Sequence, residues 1–264
     1  MKLGIIGCGN MAGAMLGGIL QNGLCTPQEV LVSDISPQAE GDFQSRFGVG
    51  SAGGNCAVAA WADVLVLAVK PQLYEKVIEG IKGGCPAGQL VVSIAPGKTL
   101  AWLAEKFGGA VQLVRAMPNT PALVGEGCTA FCCGEGVPPQ QQELAQELLS
   151  SFGRAEAVPE HLMDAVVAVS GSAPAYAFMM VEAMSDAAVA QGMPRQQAIA
   201  FAAQAVLGSA KMVLETGLHP AQLKDMVCSP GGTTIEAVQA LEKGGFRASL
   251  MQAMAACWEK SRKM

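Results

Sequence analysis

A short apolar run, Lys2 to Ile6, passes without a break into Gly7-Cys8-Gly9-Asn10-Met11-Ala12 and then into a helical stretch, with Asp34 closing the next β-type run. A G-x-G-x-x-A turn between strand and helix has a specific physical use. The first glycine permits the tight turn, the second lets the backbone approach a pyrophosphate, and Ala12 allows helix and strand to pack closely. The N–H groups of the first helical turn then face the phosphates. A glycine-rich turn in an unrelated α/β protein would share the two glycines. Strand, spacing and the acidic residue together favour a dinucleotide site.

The rest of the N-terminal half extends the pattern. β-type runs at Lys2 to Ile6, Val30 to Ser33, Val64 to Ala68, Leu90 to Ile94, Gln112 to Ala116 and Cys128 to Cys133 alternate with helical stretches opening near Asn10, Pro37, Pro71, Thr99 and Pro139. Continuous apolar strands separated by helices predict a parallel sheet covered on both faces, an α/β doubly wound sheet of Rossmann type. After Pro159 the character changes to Ala- and Met-rich helices at His161 to Ala190, Arg195 to Glu215, His219 to Val227, Thr234 to Lys243 and Phe246 to Lys260. The expected domains are therefore residues 1–159, binding a dinucleotide, and an all-α domain, 160–264, for substrate and pairing. With 51% hydrophobic and 15% charged residues, the chain has too few charges to cover a monomer. At least a homodimer is expected, built through the second half.

A net charge of −5 argues against nucleic acid as a partner. Nine cysteines without a C-x-x-C pair, and only two histidines, give no zinc pattern and no disulfide framework, so no metal is expected and a reducing cytoplasm fits. Leu3 to Leu20 has the outline of a signal peptide, but it carries Gly4, Gly7, Gly9, Gly13, Gly17, Gly18 and the polar Asn10, which call for another explanation. Ala165 to Val181 is uncharged, yet Ser170, Gly171, Ser172 and Pro174 interrupt it and it is shorter than the roughly 20 residues of a span, so it reads as a buried helix and no membrane is expected.

Several residues are placed for chemistry. Asp34 suits the ribose 2′-hydroxyl of NADH and repels the extra phosphate of NADPH, although Ser33 and Ser36 beside it are able to donate to that phosphate. Lys70, in Ala68-Val69-Lys70-Pro71, follows a strand at the ligand-binding edge; a solvated lysine before a helix-opening proline is the plainer account. Met117-Pro-Asn119-Thr120-Pro121 is a stiff loop able to aim Asn119 at a ligand, or an ordinary turn. In Ser229-Pro-Gly231-Gly232-Thr233-Thr234-Ile-Glu236, Thr233 and Glu236 have capping-box spacing, which makes Thr233 the expected N-cap and Thr234 the first helical residue. Such a helix start suits a carboxylate ligand, or merely starts a helix.

One absence matters. No lysine lies between Lys106 and Lys211 and no histidine between Leu162 and Leu218, so the first long helix carries no such acid for ketone or alcohol chemistry. The β-hydroxyacid dehydrogenases, of similar build, use a lysine there. A protonated imine needs no such donor.

Gly7-Cys-Gly-Asn-Met, Ala68-Val-Lys-Pro, Arg115-Ala-Met-Pro-Asn-Thr-Pro121, Ser170-Gly-Ser-Ala-Pro-Ala-Tyr176 and Leu223-Lys-Asp-Met-Val-Cys-Ser-Pro-Gly-Gly-Thr-Thr-Ile235 resemble the motifs of the Δ1-pyrroline-5-carboxylate reductase family over essentially the whole chain. The resemblance implies reduction of pyrroline-5-carboxylate to L-proline by NAD(P)H, usually NADPH with NADH possible. It implies that Ile6, Gly7, Cys8, Gly9, Asn10 and Met11 hold the pyrophosphate, that Asn55 lies near the adenosine ribose, and that Ala68, Val69, Lys70 and Pro71 pass the nicotinamide ribose. Ser229, Gly231, Gly232, Thr233 and Thr234 would enclose the substrate, with Thr234 hydrogen bonding to the ring nitrogen. Thr234 and Lys70 are the catalytic candidates, and Asn119 joins the substrate set. Asp34 departs from the neutral or basic residue of many members. Another imine or keto-acid reductase of the same build, or a silent NAD(P)-binding regulator, would share the first motif.

Overall fold

The computed structural model describes residues 1–109 and 111–263. Eight strands form one sheet: β1 (Leu3–Ile6), β2 (Val30–Ser33), β3 (Gly50–Ser51), β4 (Val64–Leu67), β5 (Leu90–Ser93), β6 (Gln112–Met117), β7 (Gly127–Cys133) and β8 (Gly153–Ala157), in the order β3-β2-β1-β4-β5-β6-β7-β8. β1 pairs in parallel with both β2 and β4, so the strand order reverses beside it and leaves a crevice at the strands' carboxyl ends. In register, Ile6 lies opposite Ser33 and Leu67, and Leu67 opposite Ser93. The residues that follow, Gly7, Asp34, Ala68 and Ile94, therefore share one sheet edge.

The helices of this half are α1 (Asn10–Gln21), α2 (Pro37–Phe47), α3 (Asn55–Trp61), α4 (Tyr74–Ile81), α5 (Leu100–Phe107) and α6 (Pro139–Ser150). Strand side chains alternate between two cores. Leu3, Ile5, Val64 and Val66 join Met15, Leu16 and Phe152 on one face, whereas Ile6, Leu65 and Leu67 join Tyr74, Ile78 and Leu103 on the other. Each such side chain contributes about 1.5–3 kcal/mol when fully buried, and β1, β4 and β5 are buried throughout. Close packing rests on small residues: a Cβ at Gly18 of α1 would lie 2.6 Å from the Phe152 Cβ and 2.7 Å from the Ser151 carbonyl.

The structure departs from the sequence reading in particular places. β7 runs antiparallel to β6, and β3, β8 and α3 are additions. The chain divides into two compact units, one of residues 1–172 with the C-terminal stretch from Cys257, the other Ala173–Ala256. The first unit keeps α7 (Met163–Val166) and a π turn, Val167–Gly171, closed by a Ser172 N–H to Val167 carbonyl bond of 2.8 Å. The second contains α8 (Ala173–Ala190), α9 (Arg195–Thr216), α10 (Pro220–Val227) and α11 (Thr233–Lys243), with α12 (Phe246–Ser261) running out of it.

The stretch Ala165 to Val181, expected to be a buried helix, is part of a longer one and, Val167 and Ala168 apart, is little covered by its own chain. Glu160–Ala190 is one helical run of 31 residues, and it and Arg195–Thr216 are long and apolar enough to cross a membrane by length and composition alone, with little of either covered within one chain. The polar residues of Ser170-Gly-Ser are absorbed by the π turn, so they do not end the run.

Candidate active site

The glycine turn is shaped by both neighbours of β1. Gly7 has φ +103 and donates its N–H to the Ser33 carbonyl at 2.8 Å, and a Cβ there would lie 2.6 Å from the Ala68 carbonyl oxygen. Only glycine fits that position. A Cβ at Gly9 would meet nothing within 4 Å, so an open approach lies in front of it. Gly9 is also the N-cap of α1, with no side-chain cap bond and no acidic residue in the first turn. A bare, uncapped helix start behind an unobstructed glycine fits a pyrophosphate. Asn10 is exposed and Met11 half-buried at this start, while Ile6 and Cys8 are buried beneath it.

Around the turn the polar groups are already committed. The Asp34 carboxylate accepts from the Cys8 N–H at 2.7 Å through one oxygen and from the Ser36 N–H at 2.8 Å through the other. Ser33, buried, donates its hydroxyl to Asn55 Oδ1 at 2.9 Å, and Ser36 Oγ caps α2 by accepting from the Ala39 N–H at 3.3 Å. Glu40 in α2 reaches back: one oxygen accepts from the Asp34 N–H at 3.3 Å and the other from the Ser51 hydroxyl. Burial first, then Asp34 and Glu40, pushes the Cys8 thiol up to about 12. Glu40 escaped the sequence reading because its anchor, β3, has only two residues. Ile35, 89% exposed beside Asp34, escaped because one apolar residue in a polar turn carries no period.

At the neighbouring strand end, Ala68 donates its N–H to the Ile6 carbonyl at 2.8 Å. Ala68 and Val69 are half-buried, and Lys70 is exposed, paired with no carboxylate among the described residues, just before a short helical turn opened by Pro71. Tyr74, fully buried, donates its hydroxyl to the Leu67 carbonyl at 2.5 Å, and burial raises that hydroxyl's pKa.

Asn119 is 7% exposed. Its amide donates to the Ser170 carbonyl at 3.1 Å and accepts from the Cys128 N–H at 2.8 Å, which ties the β6–β7 loop to the π turn. Thr120 beside it is exposed. Arg115, also buried, donates to Glu160 at 3.0 Å.

In the second unit, Gly232 donates to the Ser229 carbonyl at 3.0 Å, and Gly231 has φ +67, which together with Pro230 makes a type II turn. Gly232, not Thr233, is the N-cap of α11, extended at φ −81, ψ 171 and without a side-chain cap bond. The expected capping box therefore does not form: the turn delivers an extended residue one position earlier, Thr233 is already helical and exposed, and Thr234 is the second helical residue. The glycine cap leaves the first-turn N–H groups without a side-chain acceptor. Thr234 is half-buried, and its hydroxyl has no partner among the described residues.

Residues 160–264 match the family model described as pyrroline-5-carboxylate reductase dimerisation, and residues 2–97 the model described as NADP oxidoreductase coenzyme F420-dependent. Pyrroline-5-carboxylate reductase of Escherichia coli (strain K12) is 51% identical over 263 residues, covering 100% of this chain and 98% of that protein. The Methanosarcina acetivorans protein of the same name is 41% identical over 263 residues, covering 100% and 97%. Among solved structures, a pyrroline-5-carboxylate reductase from Coxiella burnetii superposes with a TM-score of 0.91 at 36% identity, covering 99% of this chain and 97% of that one. The Plasmodium falciparum pyrroline carboxylate reductase with NADP bound gives 0.91 at 31%, covering 100% and 97%.

Proposed function

The chain belongs to the pyrroline-5-carboxylate reductase family, and from that premise we propose which of its residues carry out the reduction. It is an NAD(P)H-dependent oxidoreductase acting on a C=N bond, converting pyrroline-5-carboxylate to L-proline in the last step of proline biosynthesis, and it works as a homo-oligomer. Residues 1–159 bind the dinucleotide, and 160–264 serve substrate and pairing.

The single observation that carries the assignment of roles is the chemistry of the two turns. Gly7–Gly9 opens an uncapped helix to a pyrophosphate, and Ser229–Gly232 opens another to a carboxylate. Ile6 to Met11 hold the pyrophosphate, with Ser33, Asp34, Ser36 and Asn55 bordering the adenosine ribose and Ala68 to Pro71 the nicotinamide ribose. When bound, NAD(P)H supplies the hydride.

The chain's own residues bind and orient. The first-turn N–H groups behind Gly232 receive the substrate carboxylate, and Ser229, Gly231 and Thr233 shape that turn. The free Thr234 hydroxyl hydrogen bonds to the ring nitrogen. That nitrogen is protonated before reduction and keeps its proton, so no side-chain acid is required and most of the acceleration comes from orientation. Lys70, exposed and unpaired, holds positive charge at the nicotinamide end. Asn119 commits one Nδ2–H to the Ser170 carbonyl and its Oδ1 to the Cys128 N–H, and keeps a second Nδ2–H for a substrate contact. All nine cysteines are free thiols, which supports a cytoplasmic location.

The test is loss of NAD(P)H absorbance when pyrroline-5-carboxylate is added to purified protein. Absence of turnover with both nucleotides overturns the assignment, and a trapped covalent substrate adduct overturns the mechanism.

A further inference from the structure

The residues from Leu3 to Val69 include everything given to the adenosine half of the cofactor, and they hold a single basic residue, Arg46. Its guanidinium stacks over the Phe47 ring at 4.7 Å. Against it stand Asp34 and Glu40 at the mouth of the glycine turn, neither in an ion pair among the described residues. Both carboxylates are held in place. Asp34 is fixed by two backbone N–H groups, and Glu40 by the Asp34 N–H and the Ser51 hydroxyl of β3. Of the two hydroxyls beside Asp34, buried Ser33 donates to Asn55, and Ser36 Oγ accepts from the Ala39 N–H.

We propose that Glu40 is a specificity-determining residue of the cofactor site: anchored by Ser51 against the Asp34 backbone, it adds a second uncompensated negative charge to that of Asp34, and the pair makes NADH a better reductant than NADPH for this chain. The inference rests on the reading that the glycine turn holds NAD(P)H. The reason is Coulombic. A 2′-phosphate brings close to two negative charges into a corner that already holds two and offers no cation. Asp34 faces the turn through its bond from the Cys8 N–H, and Glu40 is tied to the Asp34 backbone beside it.

The experiment compares the wild type with Glu40→Gln, Asp34→Asn and the charge-keeping Ser51→Ala. Two readouts are used: the ratio of kcat/KM for NADPH to that for NADH, and the affinities of the protein without nucleotide for adenosine 2′,5′-bisphosphate and 5′-AMP. The wild-type ratio is expected below one, and Glu40→Gln raises it about three- to ten-fold at low salt. The relative affinity of the bisphosphate rises in parallel, and Ser51→Ala moves it less than Glu40→Gln does. Raising KCl from about 20 to about 500 mM lifts the wild-type ratio through screening, and this arm serves even if Glu40→Gln folds poorly. A Glu40→Gln ratio within two-fold of wild type, a ratio insensitive to salt, or a wild type preferring NADPH overturns the proposal. Failure to turn over the imine with either nucleotide, while 5′-AMP still binds, counts against the function and leaves the specificity to be decided by the binding ratio.

Discussion

Asn119→Asp separates a brace from a ligand contact. The substitution preserves shape and keeps the acceptor for the Cys128 N–H, but it replaces the amide that donates to the Ser170 carbonyl at 3.1 Å with an oxygen. Asn119 is 7% exposed and Ser170 half-buried, so water reaches that carbonyl only in part. Leaving it unpaired costs about 1–3 kcal/mol, and facing it with a carboxylate raises the total to about 2–4 kcal/mol. For a unit of this size that lowers the melting temperature by about 4–16 °C.

The pH dependence has a definite sign. Burial beside a carbonyl raises the folded-state pKa of the introduced carboxyl above its unfolded value of about 3.9. The protonated acid can donate to Ser170, so the deficit is smallest below the unfolded value and grows to its full size as pH rises through the folded one. Calorimetry of variant and wild type at pH 4 and 7 reads this difference. A variant that melts like wild type yet loses most of its kcat/KM would show that the amide faces substrate, and an equal deficit at both pH values would show that the donated bond is not the cause.

Four other outcomes are open to direct measurement. Gly18→Ala forces a Cβ to within 2.7 Å of the Ser151 carbonyl and should cost about 1–3 kcal/mol in urea denaturation, whereas Gly17→Ala, whose Cβ would lie 3.7 Å from the Phe47 ring, should be neutral or stabilising. Alkylation near pH 8 should label exposed Cys56 and spare Cys8, whose thiol titrates only at about 12; rapid Cys8 labelling would contradict its burial. Thr234→Ala should lower kcat/KM by roughly 1–3 kcal/mol with an unchanged melting temperature. Thr233→Ala should change stability by less than about 0.5 kcal/mol, because Gly232 holds the cap.

What was legible in the sequence follows from how each element is held. β1, its glycine turn and α1 read plainly because strand, turn and helix start each need residue types that nothing else there would need. β4 and β5 read plainly because strands buried on both faces are apolar at every position. β8 did not, since Gly153–Ala157 lies at the sheet edge and carries Arg154 and Glu156 to solvent. α3 lacked a start signal because its cap is Gly54, at φ +148, not a serine or aspartate. The antiparallel run of β7 was invisible because an apolar strand reads the same in either direction. The turns of the proposed site were legible where backbone does the work, at Gly7, Gly9 and Gly231. The proposed site was not legible where a side chain finds its partner far along the chain, as Asn119 does with Ser170, 51 residues on.

The apolar C-terminal helices connect the proposed substrate turn to association. In α8 the one buried residue is Ser185, while the adjacent Phe178 and Met179 are 65% and 68% exposed. Neighbours in a helix point about 100° apart, so no single contact within the chain covers both. Phe201, Leu214 and Met251 are open in the same way. Each is worth about 1.5–3 kcal/mol if fully covered, so the five together come to about 7–15 kcal/mol, comparable with the roughly 5–15 kcal/mol that holds a whole domain folded. The dimerisation match over 160–264 assigns this surface to a second copy. The Ser229–Thr234 turn, proposed above to receive the substrate, lies in the same unit, so pairing is expected to stabilise it. Specific activity should therefore fall on dilution through the dissociation range, with a melting temperature that rises with protein concentration. Sedimentation showing a stable 27.1 kDa monomer that keeps full specific activity would break this link between pairing and the substrate turn.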